Sequence, residues 1–319
     1  MQDAIVTALE TELTLWLGPQ ARLSGTPVHL TGGESAECYR FEVLGQPSTV
    51  SPTLVLRLQH DDRGAARECT IQRAVAEAGF AAPRVFHTGN SASMFGRPYA
   101  VIAFAEGRDP LKDRSLRSVP TILANTMLQL HALDPDQART ALAAAGFGDQ
   151  DTGIPAALTG LCASPDTHIA AAAQRLAERA PSSASLVVCH GDLHGFNVLL
   201  QGGHVLAVLD WELATLAPRE YDVARTETLF ALMPGVGPVA IGGLLRWIGA
   251  RLARRFVAAY DARIRVDRAV LDFCRALHAL RLIAIARTPA MAPAGVHRLW
   301  RSLEPALVRR WGRVTGQSI

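Results

Sequence analysis

Apolar and polar positions alternate through the first third of the chain. Val28–Leu30 and Cys38–Val43 carry the period of two expected of strands on either side of a Gly-Gly turn, and Thr53–Gln59, reading TLVLRLQ, is a third strand. Residues 64–79, GAARECTIQRAVAEAG, switch to helical spacing and stop at Gly79. Arg84–His87 and Pro98–Ala105 read as further strands, and the opening MQDAIVTALETELTLWLG reads as an amphipathic helix. Its acids stand where a secretory leader would carry basic residues, and the cytoplasmic location expected for the chain rests on its cysteines. Past residue 106 the pattern changes. Helices are expected over Leu116–Leu133 and about Asp166–Ala180, and a short strand over Leu186–Cys189. Asn197–Leu200 and Val205–Leu209 form a hairpin through two glycines, and everything after Trp211 reads as helix. The predicted class is α+β in two lobes: a small β-rich lobe over residues 1–106, then a larger, mostly helical lobe over 107–319.

Composition narrows the class without choosing a chemistry. The chain has 319 residues, 49% hydrophobic and 19% charged, as in a folded enzyme and unlike a disordered chain. Residues 1–106 carry a net charge of −3 and residues 107–319 a net of +6, with 15 Arg against 4 acids in 246–319. Arg246, Arg251, Arg254 and Arg255 follow helical spacing, so this excess reads as a solvated helix face; no recognition motif accompanies it, and no nucleic-acid partner is expected. Five cysteines without C-x-x-C spacing point to reduced thiols, not to a disulfide framework or a zinc site. The uncharged run Thr228–Leu245 is interrupted by Pro234 and Pro238, which predicts a buried helix–loop–helix and no membrane partner. The sequence does not set an oligomeric state. There is a single lysine, Lys112, so any role that needs one has one candidate.

The chemistry concentrates in VVCHGDLHGFNVLL, residues 187–200. His190, Asp192 and His194 at alternate positions have the look of a metallophosphoesterase string. That chemistry requires further carboxylate and imidazole ligands for two ions, and the downstream motifs that supply them are missing. Transfer of phosphate from a nucleotide needs less. It needs a carboxylate for the acceptor hydroxyl and hard oxygen donors for magnesium. Asp192, Asn197 five residues on, and Asp210 at the end of VLAVLD supply that set.

H-G-D-x-H-x-x-N followed by V-L-D-W-E resembles the aminoglycoside phosphotransferase and choline kinase family, whose fold is a variant of the protein kinase fold. Other landmarks fall in the same order over most of the chain: Gly32-Gly33-Glu34-Ser35, Arg57 in LVLRLQ, Arg67-Glu68, Tyr99–Gly107, Leu130–Pro135 and Asp222-Val-Ala-Arg225. The resemblance implies a magnesium-dependent transfer of the γ-phosphate of ATP, or of GTP, to a hydroxyl of a small molecule. An antibiotic acceptor would imply a resistance role. Asp192 resembles the catalytic base, and Asn197 and Asp210 the magnesium ligands. Gly32, Gly33 and Ser35 resemble the loop over the phosphates, and Arg57 and Glu68 the phosphate-binding pair. Ile102 would line the back of the base pocket, and Ala103 and Ala105 would meet the base through backbone groups. His190 is similar to the kinase-loop histidine that supports the loop.

Two departures stand out. The family usually has Lys where this chain has Arg57, and Gly195-Phe196 stands where the family often has Pro-Gly. The first keeps open a weakly binding pseudoenzyme beside the kinase and the phosphoesterase. The acceptor is open too: Glu220, Asp222, Glu227, Asp261, Asp267 and Asp272 are candidates for an acidic cleft suited to a polycation, and Trp211, Tyr221, Trp247 and Tyr260 for an aromatic cage or for core.

Overall fold

The computed structural model describes residues 2–30, 36–110, 116–181, 185–232, 242–289 and 294–319. The first helix, α1 (Gln2–Leu17), leads into six strands: β1 (Arg22–Leu23), β2 (Val28–Leu30), β3 (Glu37–Leu44), β4 (Thr53–Leu58), β5 (Val85–Gly89) and β6 (Tyr99–Ala103). They make one antiparallel sheet in the order β1-β3-β4-β6-β5, with β2 also on β3. Strand parity decides what each face does. Tyr39, Phe41, Leu54, Leu56, Leu58, Tyr99 and Val101 pack with Leu9 and Leu13 of α1 into one buried cluster. Val55, Ala100 and Ile102 point the other way, to a smaller cluster with Cys69, Val85, Leu30, Cys38 and Phe104. Arg57 lies between Cys38 and Ala100 in the register, two residues on from Val55, and so shares that second face.

Helix α2 (Asp62–Glu77) crosses between β4 and β5. Asp61 caps it by accepting from the amides of Arg63 and Gly64, and Gly79 with φ +84° ends it. A linker then runs beside the second half of the chain. There Arg108 and Leu200 exchange backbone hydrogen bonds of 2.9 and 2.7 Å. Gly107 is needed at this crossing, because a Cβ would sit 2.8 Å from the Leu199 Cβ.

The second half contains α3 (Val119–His131), α4 (Pro135–Ala144), α5 (Gly153–Cys162), α6 (Thr167–Ala177), β7 (Leu186–Cys189), β8 (Val198–Gln201), β9 (His204–Val208), β10 (Thr215–Pro218), α7 (Arg219–Leu232), α8 (Gly242–Asp261), α9 (Arg268–Arg287) and α10 (Ala294–Thr315). One continuous core joins these helices. The expectation of helix throughout after Trp211 fails at β10, which pairs antiparallel with β7 over four residues, all buried. TLAP has no alternation to reveal it, and its partner strand lies about thirty residues away. Helices α4 and α5 also lie outside the sequence reading. The run Thr228–Leu245 extends past the described residues after Leu232, and no helix among those described is long and apolar enough to cross a membrane.

Candidate functional site

The loop after β7 is fixed from below by one carboxylate. Asp222, fully buried on α7, accepts from the amides of His190 (2.7 Å) and Gly191 (2.6 Å) and lies 3.2 Å from His131 Nε2. His131 Nδ1 in turn bonds the Tyr260 hydroxyl at 2.7 Å. Gly191 has φ +79°, and a Cβ there would lie 2.1 Å from the Leu213 carbonyl oxygen, so the tight turn admits only glycine. His190 supports the loop from inside. Its Nε2 donates to the Leu209 carbonyl at 2.9 Å and its Nδ1 accepts from the Asp192 amide at 3.2 Å. That pattern requires the neutral imidazole, and burial lowers the His190 pKa in the same sense, against the nearby carboxylates. The Trp211 ring packs against it at 4.8 Å, with Phe80 edge-on behind.

Asp192 is thereby held at the surface of the cleft. Arg225, one turn beyond Asp222 on α7, donates to Asp192 Oδ1 from Nε at 3.0 Å and Nη2 at 2.8 Å. His194 Nε2 lies 3.6 Å from Oδ2. Burial alone would raise the Asp192 pKa; the Arg225 guanidinium and His194 outweigh it and hold the carboxyl well below the usual carboxylate range. Asn197 Nδ2 donates to the Asp192 carbonyl at 3.0 Å, and the Asn197 carbonyl accepts from Leu209 at 2.8 Å. The Asn197 side-chain oxygen accepts no bond from the described residues. These links bring Asp192, Asn197 and the end of β9 together.

Asp210 follows β9 with φ +63°, the one non-glycine residue in the left-handed region among those described. Its Oδ1 is buried without a hydrogen-bond partner, 3.6 Å from Arg57 Nη2. Arg57 also pairs closely with Glu68 of α2, and both are buried. Gln59 Nε2 donates to the other Glu68 oxygen at 2.5 Å. Burial would lower the Arg57 pKa, but Glu68 and Asp210 raise it above its ordinary value, so the guanidinium stays charged.

The remaining expected positions divide. Ile102 is buried on the sheet face that overhangs the cleft, with Val55, Leu30, Cys38 and Phe104. The Ala103 amide donates to the Arg84 carbonyl at 2.9 Å, which takes that N–H from any base. The Ala105 amide makes no bond to the described residues. Gly32, Gly33, Ser35 and Lys112 lie outside the described residues. Glu212 is exposed.

The acidic cleft is not formed by the six candidate carboxylates. Asp222 anchors the loop, Glu220 accepts from the Asp267 amide, and Asp267 caps α9. Asp261 accepts from the Val266 amide, Glu227 is shared by Arg275 and Arg310, and Asp272 pairs with Arg275. Each serves the fold. Trp211, Tyr221 and Tyr260 are core, whereas Trp247 is 56% exposed with Arg251 stacked on it.

Asp222, His131 and Arg225 carry more of this geometry than sequence reading gave them. Residues 29–274 match the profile of the phosphotransferase enzyme family. The chain belongs to that family. It is similar, at 28% identity over 192 residues, to mouse (Mus musculus) acyl-CoA dehydrogenase family member 10; the aligned part is 55% of this chain and 18% of that protein, so the chain spans under a fifth of it. Among solved structures it superposes on a thermostable mutant of aminoglycoside phosphotransferase APH(4)-Ia in ternary complex with ADP and hygromycin B. The TM-score is 0.61 at 19% identity, covering 95% of this chain and 98% of that one. Spectinomycin phosphotransferase APH(9)-Ia, in complex with ADP and spectinomycin, gives a TM-score of 0.55 at 15% identity, covering 93% and 94%. The fold is the two-lobed, protein-kinase-like α+β fold of these enzymes, and the family is one of phosphotransferases.

Proposed function

We propose that the protein transfers the γ-phosphate of ATP or GTP to a hydroxyl group of a small molecule, with magnesium. The observation that carries this reading is the bonded run from Asp192 through Asn197 and Leu209 to Asp210, facing the buried Arg57–Glu68 pair across 3.6 Å. Residues 1–106 then form the nucleotide-binding lobe and 107–319 the catalytic and acceptor lobe, in a cytoplasmic enzyme.

The donors present suit magnesium. The orphaned, buried Asp210 Oδ1 and the Asn197 side-chain oxygen are hard ligands. They would hold the ion, which supplies charge neutralisation to the phosphates when bound. Arg57 holds a phosphate oxygen with a nitrogen not taken by Glu68; its guanidinium fork offers five donors, so the loss of the usual lysine keeps the charge and changes the approach. Asp192, kept ionised by Arg225, orients the acceptor hydroxyl and accepts its proton. Leu30, Cys38, Val55, Ile102 and Phe104 roof the base, and the Ala105 amide and carbonyl read its edge. Gly32, Gly33 and Ser35 would cover the phosphates.

A phosphoesterase finds less support. Among the described residues the one His/Cys/Asp/Glu group tight enough for a metal is His131–Cys189–Asp222. It is buried, and its carboxylate is already filled by loop amides. Solved relatives bound to hygromycin B and spectinomycin make an antibiotic one acceptor class, with a resistance role if it is the natural one.

The test is a thermal-shift and phosphotransfer screen with Mg-ATP and Mg-GTP against antibiotics, sugars, nucleosides, amino alcohols and hydroxy acids. Asp192→Ala should abolish acceptor-dependent turnover with the fold intact. Unchanged turnover in that variant, or phosphate release from an ester without nucleotide, would overturn the reading.

A further inference from the structure

Arg281 is a partly buried guanidinium whose charge no carboxylate among the described residues answers. It lies on α9, and its Nη1 donates to the Tyr221 hydroxyl at 2.5 Å. The other partly buried arginines described on the C-terminal helices have acids: Arg275 and Arg310 share Glu227, and Arg287 has Glu304. A neutral hydroxyl satisfies one of the five donors of a guanidinium and none of its charge.

The position of Arg281 matters more than its isolation. Tyr221 stands one turn before Arg225 on α7, so the two arginines lie on one wall with Asp192 at its edge. His278, one turn before Arg281 on α9, packs edge-on to the Tyr221 ring at 4.4 Å. Its Nε2 bonds the Tyr221 carbonyl at 2.8 Å. His278 adds no negative charge, and burial together with the positive field of Arg281 and Arg225 keeps it neutral. Trp300 of α10, buried in the core, backs Arg225, whose guanidinium lies 5.9 Å from its ring centroid. Asp192 and the two arginines are the charges along this wall; Asp222 lies behind the loop, taken up by the His190 and Gly191 amides.

We propose that Arg281, with Arg225, recognises an anionic group on the acceptor, a carboxylate or a phosphate carried near the hydroxyl that is phosphorylated. This rests on the phosphotransfer reading and deepens it. A guanidinium matches either oxyanion with two parallel hydrogen bonds, and partial burial strengthens the match. A polycation meets like charge at the same wall.

The experiment titrates the full-length protein, loaded with Mg-ADP, with gluconate and glucose 6-phosphate. Gluconamide, glucose and hygromycin B are the matched neutral and cationic probes. The expected result is at least tenfold tighter binding of one or both anions than of the neutral partner, with hygromycin B weakest. Arg281→Gln should remove the preference and leave the Mg-ADP shift unchanged, and Arg281→Lys should restore part of it. Gluconate alone binding assigns a carboxylate acceptor, and glucose 6-phosphate alone a phosphorylated one. Equal binding of charged and neutral probes, a preference for hygromycin B, or an anion preference that survives in Arg281→Gln overturns the inference. Phosphotransfer is scored separately with the same probes and Mg-ATP. Transfer to gluconamide as fast as to gluconate sinks the inference and spares the kinase. Arg281-dependent anion binding without any transfer does the reverse.

Discussion

Asp222→Asn tests whether one buried carboxylate sets the catalytic loop. The substitution keeps volume and shape and removes one acceptor. Asp222 accepts from the His190 amide at 2.7 Å on Oδ2 and the Gly191 amide at 2.6 Å on Oδ1, and it is fully buried. An asparagine can meet only one of the two amides with oxygen; its NH2 group faces the other donor. The loss is one charge-assisted hydrogen bond, about 1.5–3 kcal/mol, together with a buried donor left unpaired, about 1–3 kcal/mol. The two overlap, so about 2–4 kcal/mol is expected. For a unit of some two hundred residues that corresponds to a fall in Tm of roughly 5–10 °C. The assay is scanning calorimetry at a fixed rate, paired with nucleotide titration. Mg-nucleotide affinity should fall less than turnover, because Arg57, Glu68 and Ile102 lie on other elements while Asn197 is tied to the released loop. Turnover should fall at least tenfold, because the backbone that carries Asp192 is the part released. A Tm within about 2 °C of wild type would refute the view that Asp222 anchors the loop, as would unchanged turnover.

Three further outcomes follow from the same geometry. Arg57→Met leaves Glu68 buried with Gln59 as its donor; it should destabilise by about 3 kcal/mol in urea titrations at pH 7, and by less at pH 5, where Glu68 can take up a proton. Asp210→Asn retains a residue type that tolerates positive φ and removes a charge from beside Glu68. It should leave Tm unchanged or raised while abolishing the thermal shift with Mg-ATP, and a retained shift would remove Asp210 from the metal site. Arg225→Gln removes the group that holds the Asp192 pKa down. In the wild type, Asp192 contributes stability above its unfolded value near pH 4, and that contribution is lost only as pH falls through its depressed folded value. The variant leaves burial dominant, so the acid limb of its turnover profile should move to higher pH, with kcat lowered; an unmoved limb shows that Arg225 does not set the ionisation.

What the sequence displayed and what it concealed have a common physical source. Strands β3, β4 and β6 alternate because one face packs on α1 and the other on a smaller cluster; the resemblance singled out Arg57, and the register puts it on that second face. The spacing of Asp192, Asn197 and Asp210 was legible because a single hairpin carries two of them to the third. Strand β10 was not, since its four residues are buried on both sides and show no period. The roles of His131, Asp222 and Arg225 were concealed for a different reason. Each acts through a partner 30 or more residues away: His131 on Asp222, Asp222 on Gly191, Arg225 on Asp192. The one available signal was their place in segments resembling the family's, LHALDP and DVAR, which marks a position and not a contact. Counting acids in the helical region misled for the same reason, because each of those carboxylates had a structural partner that composition does not show.

The two carboxylates of the site are each met by an arginine, and the two pairs differ in where the arginine comes from. Arg225 reaches Asp192 from within the helical part, at hydrogen-bond distance. Arg57 reaches Asp210 from the sheet, across the cleft, at 3.6 Å and without a hydrogen bond. The first contact is indifferent to how the two halves sit; the second is not. Arg57 is held by Glu68 on α2 and Asp210 by the turn after β9, so a small rotation between the halves changes the Arg57–Asp210 distance and leaves Arg225–Asp192 alone. Asp210 keeps 40% of its side chain exposed, so solvent screens this pair and its worth at rest is small. The two contacts therefore differ in kind: Asp210 has a positive φ and an unpaired oxygen facing the sheet, whereas Asp192 is held by hydrogen bonds from within the helical part.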